Sequence, residues 1–299
     1  MISKPWITAF RLRTLPLALS SIGMGSFLAA SVGAFRMDIF LLCALTTVLL
    51  QVLSNLANDY GDSVHGADHI ERTGPRRMVQ SGVISLSQMR TAMYTCAGLA
   101  FISGMSLLYV SFGWNPRALV FFFILGLLAI LAAVAYTAGR KPYGYLGLGD
   151  ASVMLFFGLV GVMGSNYLYT EQLTLLNLLP AYSSGAFAVG VLNVNNIRDI
   201  ESDRQAGKFS VPVRIGRKKA VIYHWFLLIS GMLAAIIFTW LNYTSGWQWI
   251  FLISIPLFIR NGIAVTGVED SSALDPYLKQ LAISTLLFVL TFGTGLVLA

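Results

Sequence analysis

The chain has 299 residues, 56% hydrophobic and 11% charged, with a formal net charge of +7. Soluble globular proteins carry roughly 25% charged residues, which argues against a water-soluble enzyme, and disorder is excluded because it needs low hydrophobicity and high charge. The basic residues lie between apolar segments rather than in a groove-lining array, so they point to a membrane and not to nucleic acid.

A hydrocarbon core of about 30 Å needs about 20 helical residues. Apolar runs of that kind recur at 14–34, 38–58, 88–112, 116–136, 147–169, 173–195, 219–242, 246–264 and 277–298. The chain therefore reads as all-α, a single integral-membrane domain over residues 1–299, with about nine transmembrane helices and two Asp-rich cytoplasmic loops. Pro180 in the sixth run, and Pro256 and Arg260 in the eighth, make those two the least regular. Lys4, Arg11 and Arg13 precede the first run, which continues too long for a cleavable signal. With the N-terminus inside and the C-terminus outside, 18 of the 20 Lys and Arg residues fall on the inner side; Arg36 and Arg117 are the two outside. Eleven of the 13 acidic residues also fall inside, although topology does not require them, so the chemistry is expected at the cytoplasmic face.

Two inner segments carry that chemistry. In Asn55-Leu-Ala-Asn58-Asp59-Tyr60-Gly61-Asp62, a continuing helix brings Asn55, Asp59 and Asp62 onto one face. In Asn195-Asn196-Ile-Arg198-Asp199-Ile-Glu201-Ser-Asp203, the residues Asn195, Asp199 and Asp203 share a face in the same way. The segments lie 140 or 141 residues apart by this matching, which suggests an internal repeat. Clustered carboxylates repel and are costly near a membrane. Mg²⁺ resolves both problems, because it takes one or two carboxylates and bridges to substrate phosphate oxygens. Arg72, Arg76, Lys141, Arg198 and Lys208 are cations able to hold those phosphates. His65, His69 and His224 lack zinc-ligand spacing, and Cys43 and Cys96 sit in apolar stretches as packing residues. Glu201 and Glu269 read as solvated, and Gly158, Gly161 and Gly164 as close helix packing more than as a wall for an apolar ligand.

The paired acidic motifs resemble the UbiA superfamily of intramembrane aromatic prenyltransferases, and the resemblance covers nearly the whole chain. The stretches at 13–20, 53–62, 141–150 and 195–203 are most similar to the branch acting on 1,4-dihydroxy-2-naphthoate in menaquinone biosynthesis. One departure is that Asp59 and Asp62 stand three apart, where superfamily members often have four. A Tyr-x-x-x-Lys element of the superfamily takes the form Tyr136-x-x-x-Arg140 followed by Lys141.

This resemblance implies a transferase moving a polyprenyl group from polyprenyl diphosphate to 1,4-dihydroxy-2-naphthoate, releasing diphosphate and CO₂, in a bacterial inner membrane. It implies Mg²⁺ on Asp59, Asp62, Asp199 and Asp203, with Asn55 and Asn195 beside them. Arg13, Arg72, Arg76, Arg140, Lys141 and Lys208 are then the diphosphate donors, and Tyr136 shields the prenyl cation or donates to the diphosphate. The competing expectations are another aromatic acceptor, such as 4-hydroxybenzoate or homogentisate, and a membrane transporter.

Overall fold

The computed structural model describes residues 4–64, 77–138 and 142–299. Among the described residues it contains no strand, and nine helices are long and apolar enough to cross a membrane. They are α1 (Lys4–Ala30), α2 (Met37–Val64), α3 (Leu86–Phe112), α4 (Pro116–Ala135) and α5 (Gly149–Thr170), then α6 (Leu175–Arg198), α7 (Arg217–Leu241), α8 (Gly246–Gly267) and α9 (Ser271–Val297). This is a multi-pass membrane protein. His65, His69, Arg72, Arg76, Arg140 and Lys141 lie outside the described residues.

The helix starts are written in local chemistry. Ser85 caps α3 in a reciprocal box: its hydroxyl accepts from the Gln88 amide at 3.2 Å, and the Gln88 side chain accepts from the Ser85 amide at 2.9 Å. Asn115 caps α4 and Pro116 opens it, where a missing N–H costs nothing. The same reasoning explains the two irregular spans. Pro180 stands in the first turn of the α-helical part Leu178–Arg198. Pro256 lies in the first turn of Ile255–Gly267, where α8 passes from a tight 3₁₀ segment into a regular helix. Helix α1 also changes course, at Arg11, whose φ of 48° is left-handed.

The two halves pack differently. Helices α6–α9 close around Phe187, Phe251, Phe258, Phe288 and Phe292, all essentially sealed from the surface. Phe187 meets Phe258 at 4.3 Å between ring centroids and Phe288 edge-on at 5.1 Å, a geometry aromatic quadrupoles favour. Helix α4 is the opposite extreme: 6% of its apolar window is buried, against 56% for α6. Its outward Leu and Phe side chains have no protein to cover them and suit lipid. Between α1, α2, α3, α4, α5 and α6 the bundle leaves a cavity of about 470 Å³. The C-terminal ends of α2, α4 and α6 and the N-terminal ends of α3, α5, α7 and α9 lie at the same end of the bundle, so both acidic segments meet at the mouth of the cavity.

Candidate active site

Helix α2 runs unbroken through Asp62 to Val64, so the first acidic segment is helical as the spacing requires. Each residue turns 100°, and the cavity receives Asn55, Asn58 and Asp62, while Asp59 is rotated out of it. Asp59 instead borders a smaller cavity of about 320 Å³ together with Arg11, Arg13, Arg77 and Arg198. Its carboxylate accepts the backbone amides of Met78 at 3.1 Å and Val79 at 3.4 Å, which anchors the chain re-entering from the loop. Asn55 donates to the Phe10 carbonyl and to the Thr14 hydroxyl, both at 3.0 Å, tying α2 to α1. Asp62 is buried, ion-paired with Arg77, and accepts the Tyr145 hydroxyl at 2.7 Å.

The second segment is not one helix. Helix α6 ends at Arg198, Asp199 leaves helical geometry at φ −99° and ψ 13°, and a short helix Ile200–Gln205 carries Asp203. The break changes the route, yet Asn195, Asp199 and Asp203 all line the same cavity. Arg198 clamps Asp199 with two bonds of 2.8 Å, a fork on a carboxylate, and reaches Asn195 at 2.9 Å and Asp275 at 2.5 Å. Lys208 pairs with Asp203 at 3.2 Å. Burial works against the Lys208 charge, but Asp203 and Asp62 outweigh it and hold the ammonium above its ordinary range. Burial pushes the Asp203 carboxyl up; Lys208 opposes this and Asp199 adds to it. Burial also pushes the Tyr136 phenol up to about 12, so Tyr136 faces the cavity as a neutral donor.

Several expected residues therefore converge: Asn55, Asp62, Tyr136, Asn195, Asp199, Asp203 and Lys208 line one cavity. Asp59 stands behind it, and Arg13 pairs with Asp275 at 2.8 Å on the smaller cavity. Glu201 is exposed and pairs with Arg204 at 3.1 Å, as a solvated residue does. His224 is buried against Asn261 at 2.9 Å, far in sequence from both motifs. The glycines of α5 divide: a Cβ on Gly158 would press on the backbone of Ala181 and Gly185 and one on Gly161 on Ser21 and the Phe156 carbonyl, whereas Gly164 has room; Gly161 and Gly164 border the cavity.

Asn58, Arg77, Tyr145 and Asn196 are site residues that spacing alone left unassigned. Asn58 was legible in one respect. Asn58 and Asp62 match Asn195 and Asp199 at a constant offset of 137, so the cavity selects an Asn-x-x-x-Asp register shifted by three from the Asn55 and Asp59 matching. Arg77 and Tyr145 had no local signal, because their partner Asp62 is reached only through the tertiary fold.

The donor set is all oxygen: carboxylates of Asp62, Asp199 and Asp203 with carboxamides of Asn58, Asn195 and Asn196. Among the described residues, two of its buried acceptors, Asp203 Oδ2 and Asn196 Oδ1, have no hydrogen-bond partner. A hard divalent cation fits such a set. Among the described residues, no three His, Cys, Asp or Glu side chains are gathered tightly enough to hold a metal by themselves, and Arg77, Arg198 and Lys208 are paired with the carboxylates.

The UbiA prenyltransferase family matches residues 18–273. The chain belongs to that family. Its relatives include the 1,4-dihydroxy-2-naphthoate octaprenyltransferases of Haemophilus influenzae, 43% identical, and Escherichia coli, 42% identical, each match covering 99% of this chain and 96% of the relative. The Mycobacterium tuberculosis protein of the same name is 32% identical over 97% of this chain and 96% of its own. The fold is that of a UbiA homologue from Aeropyrum pernix, at a TM-score of 0.67 and 18% identity over 97% of this chain and 98% of that one. A UbiA homologue from Archaeoglobus fulgidus bound to GPP and Mg²⁺ gives a TM-score of 0.58 at 15% identity, over 96% of this chain and 100% of that one. In this member of the family, the acidic ends of α2 and α6 flank one cavity between the membrane helices.

Proposed function

We propose that this protein transfers a polyprenyl group, octaprenyl by likeness to its relatives, from its diphosphate to 1,4-dihydroxy-2-naphthoate, releasing diphosphate and CO₂. The observation that carries this reading is one cavity with two chemistries: carboxylates, amides and cations at its mouth, and an apolar interior between membrane helices. The full-length likeness to octaprenyltransferases acting on that acceptor supports the choice of substrate.

Mg²⁺ is the proposed cofactor, held by Asp62, Asp199 and Asp203 with Asn55, Asn58 and Asn195 beside them; Asp59 supports the helix behind. Bound there, the ion supplies neutralisation of the diphosphate oxygens. The protein's own residues do the rest. Lys208, with Arg77 and Arg198 released from their carboxylates, donates to the leaving diphosphate, and Tyr136 adds a neutral hydroxyl. Arg13, and Arg72, Arg76, Arg140 and Lys141 from the loops, are further proposed donors to that group. As the allylic C–O bond breaks, the apolar walls exclude water from the prenyl cation, and the Tyr136 ring borders the same space. The ring carbon that carries the carboxylate then forms the new C–C bond, and the carboxylate leaves that carbon as CO₂, its electron pair restoring aromaticity. The proposed setting is a bacterial cytoplasmic membrane, with the N-terminus and the site on the cytoplasmic side and the C-terminus outside.

The test is transfer of radiolabel from octaprenyl diphosphate to 1,4-dihydroxy-2-naphthoate by purified protein, with Mg²⁺ and with EDTA. Label in the naphthoate that disappears with EDTA supports the reading. Label found only in a parallel 4-hydroxybenzoate reaction overturns the acceptor, and no label in any aromatic acceptor by folded protein overturns the enzyme.

A further inference from the structure

Helix α2 presents an unexplained stripe to the cavity. Thr47, Gln51, Ser54, Asn58 and Asp62 all line it, and at 100° per residue they fall within an arc of about 80°. Asp62 and Asn58 belong to the diphosphate end. Gln51 and Ser54 lie deeper, among membrane-spanning residues, where a polar side chain is costly and calls for a partner. Their neighbour Thr46 has such partners: its hydroxyl donates to the Leu42 carbonyl and shares a 2.8 Å bond with Ser103. Neither Gln51 nor Ser54 makes a side-chain hydrogen bond among the described residues. Phe101, Met105, Phe123, Leu127 and Ile130 of α3 and α4 line the same cavity and carry no polar side-chain group.

An isoprenoid tail has no polar atom to satisfy this stripe. The second substrate does. Ser54 and Gln51 stand about 6 and 10 Å below Asn58 along the axis, the level of a ring seated under the diphosphate, and both hydroxyls of the acceptor are on that reacting ring while its second ring is bare hydrocarbon. We infer that Gln51 and Ser54 form the acceptor subsite, hydrogen-bonding the ring hydroxyls of a dihydroxylated bicyclic aromatic acid while its hydrocarbon face rests on α3 and α4. The inference deepens the proposed function and rests on it. The Gln51 carboxamide can donate to a ring oxygen and accept from a hydroxyl, so it suits either protonation state of the ring. It makes Gln51 a specificity residue: an acceptor lacking the distal hydroxyl leaves the amide unpaired.

The test is steady-state kinetics of the full chain with Mg²⁺, varying 1,4-dihydroxy-2-naphthoate and the prenyl diphosphate independently. Gln51→Leu is expected to raise KM for the naphthoate about tenfold, and Ser54→Ala about threefold, with KM for the diphosphate unchanged within about twofold. Inhibition by 1-hydroxy-2-naphthoate, which lacks one ring hydroxyl, supplies a second readout. Wild type should bind this analogue more weakly than the substrate, and Gln51→Leu should bind the two alike. An unchanged acceptor KM in Gln51→Leu overturns the inference. An equal rise in both KM values overturns it too, as general damage to the bundle; Gln51→Met, of similar shape, repeats the test where Leu prevents folding. Wild-type protein that prenylates a benzoate but not the naphthoate overturns the acceptor assignment instead, and a Gln51-dependent KM for that benzoate still supports the subsite.

Discussion

The two acidic segments arrive at the same cavity by opposite means. The first is one rigid helix: α2 passes straight through Asp62, and distant parts of the chain come to it. Arg77, 15 residues further along the chain, pairs with Asp62, and Tyr145, from the turn after α4, donates to the same carboxylate. The second segment bends at Asp199 and supplies its own counter-ions within a few residues, Arg198 on one side and Lys208 on the other. Similar Asn and Asp spacing thus gives one carboxylate set by long-range packing and others set by their sequence neighbours. Mutations away from the carboxylates should therefore disturb the first end more than the second.

Removing the carboxylates themselves should have the largest effect and make the ends equal. Asp62→Ala and Asp199→Ala are each expected to lower kcat by about 10³-fold, measured as label transfer by folded protein, since each faces the diphosphate end directly. Asp59→Asn separates the cavity from its support. Asp59 is held on backbone amides outside the main cavity, so about tenfold lower activity with a reduced melting temperature is expected. A loss as deep as that of Asp62→Ala would show that Asp59 turns toward the substrate.

Gly61 tests the long-range end by packing. A Cβ there would collide with the Thr137 carbonyl, where the end of α4 crosses α2 and the Thr137 hydroxyl bonds Asn58 at 2.9 Å. Gly61→Val should destabilise the protein by about 3 kcal/mol through forced overpacking, read as a lower melting temperature in detergent. No such close approach constrains Gly207, beyond the second motif, where a Cβ would meet nothing.

Smaller effects should separate the counter-ion schemes. Tyr145→Phe removes one neutral donor from Asp62 and should reduce kcat about fivefold without unfolding the chain. Asp275→Asn loosens the link between Arg13 and Arg198, but the Arg13 side is about one third exposed and weakened by solvent. Arg198 keeps its two bonds to Asp199, so a change of about twofold in KM for the diphosphate is the limit expected. A larger effect than that of Tyr145→Phe would reverse the ranking of the two ends.

Composition and hydrophobic length alone determined that this chain is an all-α membrane bundle, because burying about 20 residues in hydrocarbon leaves the backbone no partner but itself. The acidic motifs were equally legible, since carboxylates at the ends of apolar helices have few uses other than binding cations or anions through them. The sequence could not tell which face of each helix meets the cavity. Asn55 and Asp59 share an arc with Asp62, yet Asn55, Asn58 and Asp62 line the main cavity while Asp59 borders the smaller one. Nor could it find Arg77 or Tyr145, because pairing over 15 and 83 residues is settled by packing rather than periodicity. Helical period specifies neighbours along one element; only the tertiary structure decides which elements stand opposite, and so which side chains share a charge.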